Sequence, residues 1–295
     1  MLVNTESLQA LHTMLSAAFN AGLARTVDAG YAAISTIVPS NNKSNSYAWL
    51  KQIGSLREWV GDRVIEQMSG DTYTIVNKKW ERTIAVDKED IEDDQYGVYS
   101  PLAEDLGMAA MSHRAELVYE LLADGEAQNG YDKVPFFSTA HPSEDGLPAQ
   151  SNLIAGAEPA WYLADTTRPL LPMIFQLRDD VELTALLDPT DPNVFFKDQF
   201  LWGVRARYNA GFGFWQTILK SKKVLNETNL AEARAAMRSL KNSKGKPLAV
   251  VPTTLVVGPS LETQAEKLLT NLTLATGETN VTRGKYRLIV SPYLP

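Results

Sequence analysis

The chain has 295 residues, of which 44% are hydrophobic and 21% charged, an ordinary composition for a packed globular protein of one large domain or two closely joined ones. A wholly disordered, collagen-like or coiled-coil chain is therefore excluded. The 28 basic residues are outnumbered by 35 acidic ones, and the formal net charge of -7 argues against a general basic surface for nucleic acid. Because cysteine is absent, disulfides, thiolate metal sites and cysteine nucleophiles are excluded.

Neither a membrane span nor a signal peptide is expected. The sequence contains no apolar run of about 18 residues. The N-terminus also lacks a basic stretch followed by an apolar one. We therefore expect no membrane partner.

The first predicted element is an amphipathic helix over residues 6–19, with Thr5 as its N-cap. Its apolar residues recur at helical spacing: Leu8, Leu11, Leu15 and Phe19. The run PSNNKSNS that starts at Pro39 has the composition of a loop.

Residues 47–86 differ from both flanking regions. The segments DTYTIV and KKWERTIAV predict two strands around Asn77, and Gly54, Gly61 and Gly70 interrupt the region. Its apolar residues are too mixed with charged ones to build a core, and an isolated hairpin is marginally stable in water. The sequence therefore predicts an extended excursion that must lie on another surface.

A long helix is predicted after the acidic run at 87–94. Ser100 and Pro101 are a favourable N-cap and first-turn pair, and the helix can continue to Gln128. At 1.5 Å per residue such a helix is about 42 Å long, well beyond the usual three turns. Its expected apolar stripe contains Leu102, Leu106, Ala109, His113, Leu117 and Leu121.

The middle of the chain is less regular. A polar region broken by proline and glycine follows the long helix, and short strands are expected between Ala160 and Leu187. Residues 194–217 are dense in aromatics, from Phe195 to Trp215, and favour strands or a tight sheet edge. We interpret these aromatics as core, because only two arginines are interleaved with them and a single-strand binding groove needs more positive charge.

The last third is predicted to be a compact α/β unit. Asn229 is the expected N-cap of a helix, with Glu232 three residues later. The run LAVVPTTLVVG predicts a strand, and a helix follows from Pro259 to Leu269. A final strand is expected in KYRLIVSPYL.

Two features could carry chemistry. The carboxylates of residues 87–94 could bind a hard cation, although the run lacks the glycine and final glutamate of an EF-hand loop. His141 lies near hydroxyl and carboxylate side chains, as in activated nucleophiles, but the sequence has no G-x-S-x-G elbow. An acidic turn in solvent or at a subunit contact, and a loop-stabilising histidine, are the favoured interpretations.

Three further signals are weak. His113 lies on the apolar stripe of the long helix without a ligand partner at metal-binding spacing, which is typical of a core or interface histidine. Gly211 and Gly213 form a G-x-G in which Gln216 replaces the third glycine of a dinucleotide fingerprint. Short lysine groups at 220–223 and 241–246 could contact phosphate but are usually solvated turns.

Several long segments closely resemble the major head protein family of Mu-like bacteriophages, the family of the Mu gpT subunit. They are residues 56–102, the FFSTAHP loop at 136–142, and residues 161–178, 191–216 and 253–269. The resemblance is co-linear over nearly the whole chain. It implies an α+β fold similar to the Hong Kong 97-type capsid subunit, and a major capsid protein that assembles into hexamers and pentamers of an icosahedral head around double-stranded DNA.

The resemblance also implies a division of the chain. The parts are an N-arm and linker at 1–46, an E-loop at 47–86, a peripheral domain at 87–217 with a spine helix at 100–128, an axial domain at 218–282 and a C-terminal strand at 283–295. Within it we expect the E-loop residues Trp59, Arg63, Ile65 and Met68 to contact a neighbouring subunit. Leu102, Leu106, Leu117 and Leu121 are expected to form the core face of the spine helix.

The implied protein is not an enzyme and needs no metal or cofactor. Its expected partners are other copies of itself, a separate scaffolding protein, a portal and a decoration protein, with only non-specific proximity to packaged DNA. We expect it in the virion, after assembly in the bacterial host cytoplasm. Two alternatives stay open: a metal-assisted hydrolase that uses residues 87–94 and His141, and a phage tail-tube protein.

Overall fold

The computed structural model describes residues 4–25, 30–47, 73–93, 96–143, 147–188, 190–242, 245–273 and 277–295. Its helices are α1 Thr5–Arg25, α2 Tyr31–Ile34, α3 Lys88–Glu92, α4 Tyr96–Ala123, α5 Pro192–Lys197, α6 Glu227–Arg238 and α7 Glu262–Thr270. Its strands are β1 Ser35–Pro39, β2 Ser44–Tyr47, β3 Tyr73–Val76, β4 Lys78–Asp87, β5 Leu153–Ile154, β6 Trp161–Ala164, β7 Met173–Leu186, β8 Gln199–Phe212, β9 Ile218–Ser221, β10 Thr254–Val257 and β11 Arg287–Val290. The fold is a mixture of helices and sheets, as the sequence predicts.

The first of the two larger sheets has four strands in the order β1-β7-β8-β4. Strands β7 and β8 are an antiparallel pair of 14 residues each, and β1 runs parallel to β7. Every second residue of β8 is buried, which places its aromatics in the core as expected: Phe200, Trp202, Tyr208 and Phe212 among them. Strand β4 pairs with β8 along all ten of its residues. Residues 78–86, which the sequence assigned to the excursion, therefore belong to the main sheet.

Helices α1 and α4 lie side by side on one face of this sheet. The predicted apolar residues of α1 are buried: Leu8, Leu11, Leu15 and Phe19. The two helices approach closely where Gly22 faces the backbone of Glu104 and Gly107 faces that of Phe19. Arg25 of α1 also forms an ion pair with Glu104 of α4.

Helix α4 departs from its prediction at both ends and in its buried face. It begins at Tyr96, four residues before the expected cap, so Pro101 lies inside it. Tyr99 explains the early start, because its ring packs against the core below α1 and its hydroxyl donates to Asp90. The helix also ends at Ala123 and not at Gln128.

The expected stripe on α4 is wrong at its first position. Leu102 is 48% exposed, whereas Leu106 is buried and Leu117 and Leu121 are half-buried against the core. The cause is geometric, because between residues 102 and 121 the expected row turns by about 100° around the helix. The buried residues of α4 are Ala103, Leu106, Gly107, Arg114, Ala115, Val118, Tyr119 and Leu122.

A second, five-stranded sheet has the order β11-β10-β6-β9-β5 and carries α6 and α7. Its C-terminal elements agree with the predicted α/β unit, although the N-cap of α6 is Asn226 and not Asn229: the Asn226 side chain accepts from the backbone N–H of Asn229 at 2.8 Å. Strands β5 and β6 come from residues 153–164, before β7 in the chain. The sequence-based division placed residues 87–217 in one domain, whereas strands β5 and β6 at residues 153–164 belong to the same sheet as the C-terminal strands.

Among the described helices, none is both long enough and apolar enough to cross a membrane.

Candidate functional site

The expected contact residues Trp59, Arg63, Ile65 and Met68 lie outside the described residues. The structure does describe the base from which that segment departs. Strands β2 and β3 pair antiparallel, with Tyr47 opposite Tyr73, so the chain leaves and returns at adjacent positions. The base of the excursion is defined here as strands β2 and β3.

A buried polar network fixes this base to the main sheet. Gln176 of β7 accepts from the Tyr47 hydroxyl at 2.8 Å and donates to Asn77 Oδ1 at 2.8 Å. Asn77 in turn donates to Ser40 Oγ at 2.9 Å. All four side chains are buried, so each hydrogen bond replaces one that water would otherwise supply.

Gly211 of β8 lies directly against strand β3 of the base. A Cβ at this position would collide with Cδ1 of Ile75 in β3 and lie 2.6 Å from its Cγ1, so a larger residue would force that side chain to move. The hydroxyl of Tyr73 accepts from the backbone N–H of Phe212 at 3.0 Å. The G-x-G at residues 211–213 therefore has a packing role and not a dinucleotide-binding one.

The acidic run is a structured turn. Asp87 ends β4, and Asp90 accepts a hydrogen bond from Tyr99. Burial, followed by the hydrogen bond and charge of Asp90, raises the pKa of Tyr99 to about 12. Across the part of the chain that is described, no three His, Asp or Glu side chains converge as metal ligands would.

His141 is placed to hold a loop and not to act as a base. Its ring is fully buried and stacks on Trp215 at 3.8 Å, with Nδ1 2.6 Å from Asp132 Oδ2. Nε2 lies 3.0 Å from Oδ1 of Asn152, an oxygen that also accepts from the Ser138 backbone N–H. The Asn152 amide nitrogen donates to the Phe136 carbonyl, which fixes this orientation. Nε2 must therefore donate its proton and cannot accept one from a nucleophile.

His113 lines a groove of about 310 Å³ between α4 and strands β4 and β8. Its Nδ1 lies 2.8 Å from the Tyr208 hydroxyl, and its ring meets that of Trp80 edge to face at 4.3 Å. Burial lowers the pKa of His113, although the charges of Glu116 and Glu120 oppose that change. Glu116 also lines the groove.

The lysines at 220–223 are paired with carboxylates within the chain. Lys220 is buried and, like Lys222, lies 2.7 Å from Glu126 Oε1. Burial by itself would raise the pKa of Glu126, but its bonds to the two lysines hold the pKa below its ordinary value. Lys223 pairs with Glu232 at 2.8 Å. These lysines have carboxylate partners and do not form a phosphate-binding surface.

Phe195 and Phe196 are exposed, so the interpretation of the aromatics from Phe195 onwards as core is wrong for these two residues. They lie on the short helix α5 between β7 and β8, and their exposed fractions are 72% and 81%. The signal that could have separated them from the core aromatics is Pro192, which favours the first turn of a helix.

The comparisons with known proteins agree over nearly the full length. The chain matches the family described as Mu-like prophage major head subunit gpT over residues 8–294. It is 37% identical to the major capsid protein of Escherichia phage Mu over 306 residues, with 100% of both chains covered. It is 40% identical over 278 residues to the Mu-like prophage FluMu major head subunit of Haemophilus influenzae, with 90% of each chain covered.

Solved structures give the same result. A chain of the procapsid of bacteriophage JBD30 superposes with a TM-score of 0.86 at 38% identity and covers 99% of this chain and 100% of its own. A chain of the JBD30 capsid superposes with a TM-score of 0.79 at 29% identity, and 92% of each chain is covered. The similarity therefore includes both sheets and the long helix.

Proposed function

The chain belongs to the family of Mu-like prophage major head subunits, and we propose that residues 48–72 join one copy to the next in the shell. It is a major capsid protein with the Hong Kong 97-type fold, a component of the virion that self-assembles into a shell. The whole-length similarity to a procapsid subunit is the observation that carries this function.

The fixed base of the excursion supports the role of residues 48–72. Strands β2 and β3 are tied to the main sheet by Tyr47, Gln176 and Asn77, so the intervening segment starts from a defined position. Its mixed polarity suits a surface on a neighbour better than an independent core. Trp59, Arg63, Ile65 and Met68 are the proposed contact residues.

The N-arm, the spine helix and the axial domain are assigned from the family resemblance together with the observed helices and sheets. We propose that residues 1–46 act as the N-arm and that α4 acts as the spine helix, with Leu106, Leu117 and Leu121 towards the core. The five-stranded sheet with α6 and α7 is the proposed axial domain, extended by residues 153–164 beyond the sequence-based boundary.

The proposed assembly consists of hexamers and pentamers in an icosahedral head that forms in the bacterial cytoplasm and encloses double-stranded DNA. A separate scaffolding protein and a portal are proposed partners. A decoration partner is favoured by one observation, since the JBD30 capsid has also been solved decorated with minor capsid protein trimers. The acidic composition suits a shell whose inner surface lies beside packaged DNA without binding it tightly.

The experiment is deletion of residues 54–70 followed by negative-stain microscopy beside thermal unfolding. We expect a soluble subunit with an unfolding temperature close to that of the full chain and no closed shells, because the base of the excursion is retained. The full chain, assembled in parallel, is the control. Normal shells from the deletion variant would refute the role of residues 48–72, and a full chain that forms only small oligomers in the presence of its scaffolding protein would refute the shell function itself.

A further inference from the structure

Charge is divided unevenly along this acidic chain. Residues 218–295 contain 12 lysines and arginines against 5 acidic residues, a net charge of +7. Residues 1–217 contain 16 basic and 30 acidic residues, a net charge of -14. The positive part supplies α6, α7 and three strands of the five-stranded sheet. Charge asymmetry of this size between two parts of a chain is typical of proteins that bind a polyanion.

The fold brings the ends of several C-terminal elements to one edge of the five-stranded sheet. Strands β10 and β11 are parallel and begin side by side, where the backbone N–H of Arg287 donates to the Thr253 carbonyl at 2.8 Å. Helix α7 ends at the same edge, because the backbone N–H of Gly284, shortly before β11, donates to the Leu269 carbonyl at 3.0 Å. Residues 283–287 therefore lie at this edge.

Helix α6 also ends at this edge. Strand β6 is antiparallel to β10, so Asp165, which follows β6, lies beside the start of β10. The Arg168 guanidinium donates to Asp165 Oδ2 at 3.0 Å and to the Leu248 carbonyl at 2.6 Å. The backbone N–H of Leu248 donates in turn to the carbonyl of Leu240, two residues after α6. The basic edge is defined here as the exposed residues Arg238, Lys241, Lys246, Arg283, Lys285 and Arg287.

Few carboxylates oppose the basic edge. Of the five acidic residues after position 217, Glu227 and Glu262 lie in the first turns of α6 and α7, at the opposite ends of those helices. Glu232 pairs with Lys223 at 2.8 Å. Within the described part of the chain, none of the six cations of the basic edge forms an ion pair with a carboxylate.

The helix ends account for only part of the basic edge. Arg238 lies in the last turn of α6, and Arg283 Nε donates to the Thr270 carbonyl at the end of α7, so the two helix dipoles favour these cations. The other four cations lie outside both helices: Lys241, Lys246, Lys285 and Arg287.

We propose that the basic edge contacts the phosphates of double-stranded DNA inside the head. The inference rests on the proposed function, in which the shell encloses that DNA. Lysine and arginine side chains bind phosphates without regard to base sequence, as contact with any packaged sequence requires. The acidic remainder of the chain repels the same phosphates, so the contact is local, weak and strongly dependent on salt.

Binding of a fluorescently labelled DNA duplex to the unassembled chain tests this contact. If four of the six cations meet phosphates, the affinity should fall roughly a hundredfold between about 50 and 200 mM salt. Lys285→Gln combined with Arg287→Gln removes two contacts, and the slope of log affinity against log salt should become shallower by about two. The matched control combines Lys43→Gln before β2 with Lys79→Gln in β4, both exposed, and should leave the slope unchanged.

A second measurement tests the contact inside the head. The rate of acetylation of Lys285 is compared by mass spectrometry between DNA-filled heads and heads emptied of DNA. We expect acetylation to be at least about threefold slower in filled heads, because bound phosphates cover the amine. Lys79, in β4, should react at the same rate in both.

Several results overturn the inference. Lack of duplex binding, or an equal loss of slope in the control pair, would show that the basic edge does not bind phosphates. Tighter binding of poly-glutamate than of the duplex would assign the edge to an acidic protein partner, and equal acetylation of Lys285 in filled and emptied heads would place it away from DNA. If the first pair does not fold, Lys241→Gln with Lys246→Gln serves in its place, and an unchanged slope there also refutes the inference. In all of these cases the shells seen by microscopy leave the shell function intact.

Discussion

The close crossing of α1 and α4 gives a sharp test of how the N-terminal arm is held. A Cβ added at Gly107 would collide with the backbone carbonyl of Phe19 and lie 2.9 Å from the backbone nitrogen of Leu23. Neither atom can rotate away, because both belong to the backbone of a helix. Since carbon contacts need about 3.5–4.0 Å, Gly107→Ala must push the helices apart by about 1 Å.

The energetic effect follows from what α1 buries. Its four apolar anchors are almost fully buried, and each contributes about 1.5–3 kcal/mol relative to an exposed side chain. A radial gap of about 1 Å forfeits up to half of the dispersion energy of the contacts it opens, and overpacking usually costs about 1–3 kcal/mol. The better helix propensity of alanine offsets about 1 kcal/mol of this. We expect a net loss of about 1–3 kcal/mol in the free energy of unfolding.

The measurement is chemical unfolding of the unassembled subunit, and α4 supplies its own matched control. Gly97 lies in the same helix, and a Cβ there would meet nothing within 4 Å. Gly97→Ala should therefore leave stability unchanged or raise it by up to about 1 kcal/mol. If Gly107→Ala is as stable as Gly97→Ala, the close approach of the two helices in solution is refuted.

Two further predictions concern the base of the excursion and the groove. Gln176→Leu removes the acceptor of the buried Tyr47 hydroxyl and the donor to Asn77 Oδ1, and it should lower the free energy of unfolding by at least about 1–3 kcal/mol. Gln199→Leu at the sheet end should change this free energy little, and equal effects of the two substitutions would contradict the network. Because the pKa of His113 is lowered in the fold, the unfolded chain binds its proton more readily, and stability should fall as pH drops through about 6.5. His113→Gln should flatten this pH dependence in thermal unfolding, and an unchanged slope would show that another group is responsible.

Several elements could be predicted from the sequence, because the pattern that indicates each of them lies within a short stretch of the chain. The apolar spacing of α1, the density of aromatics in β8 and the strand-and-helix order after residue 226 are each visible within a short window of sequence, and each element appears in the structure. Family membership was also readable from the sequence, because long co-linear segments carry it. These features need no knowledge of which distant residues meet.

Features that depend on contacts between distant parts of the chain could not be predicted in this way. Helix α4 starts before the cap expected at Ser100 because the ring of Tyr99 packs against the core. Leu102 is exposed because the position of the core relative to α4 determines which face of the helix is buried. Gln176 meets residues about 100 or more positions away, so no sequence period reports its role. Likewise Phe195 and Phe200 are the same residue type five positions apart, and one is exposed while the other is buried. Periodicity is a local property, whereas burial depends on what the folded chain places opposite each side chain.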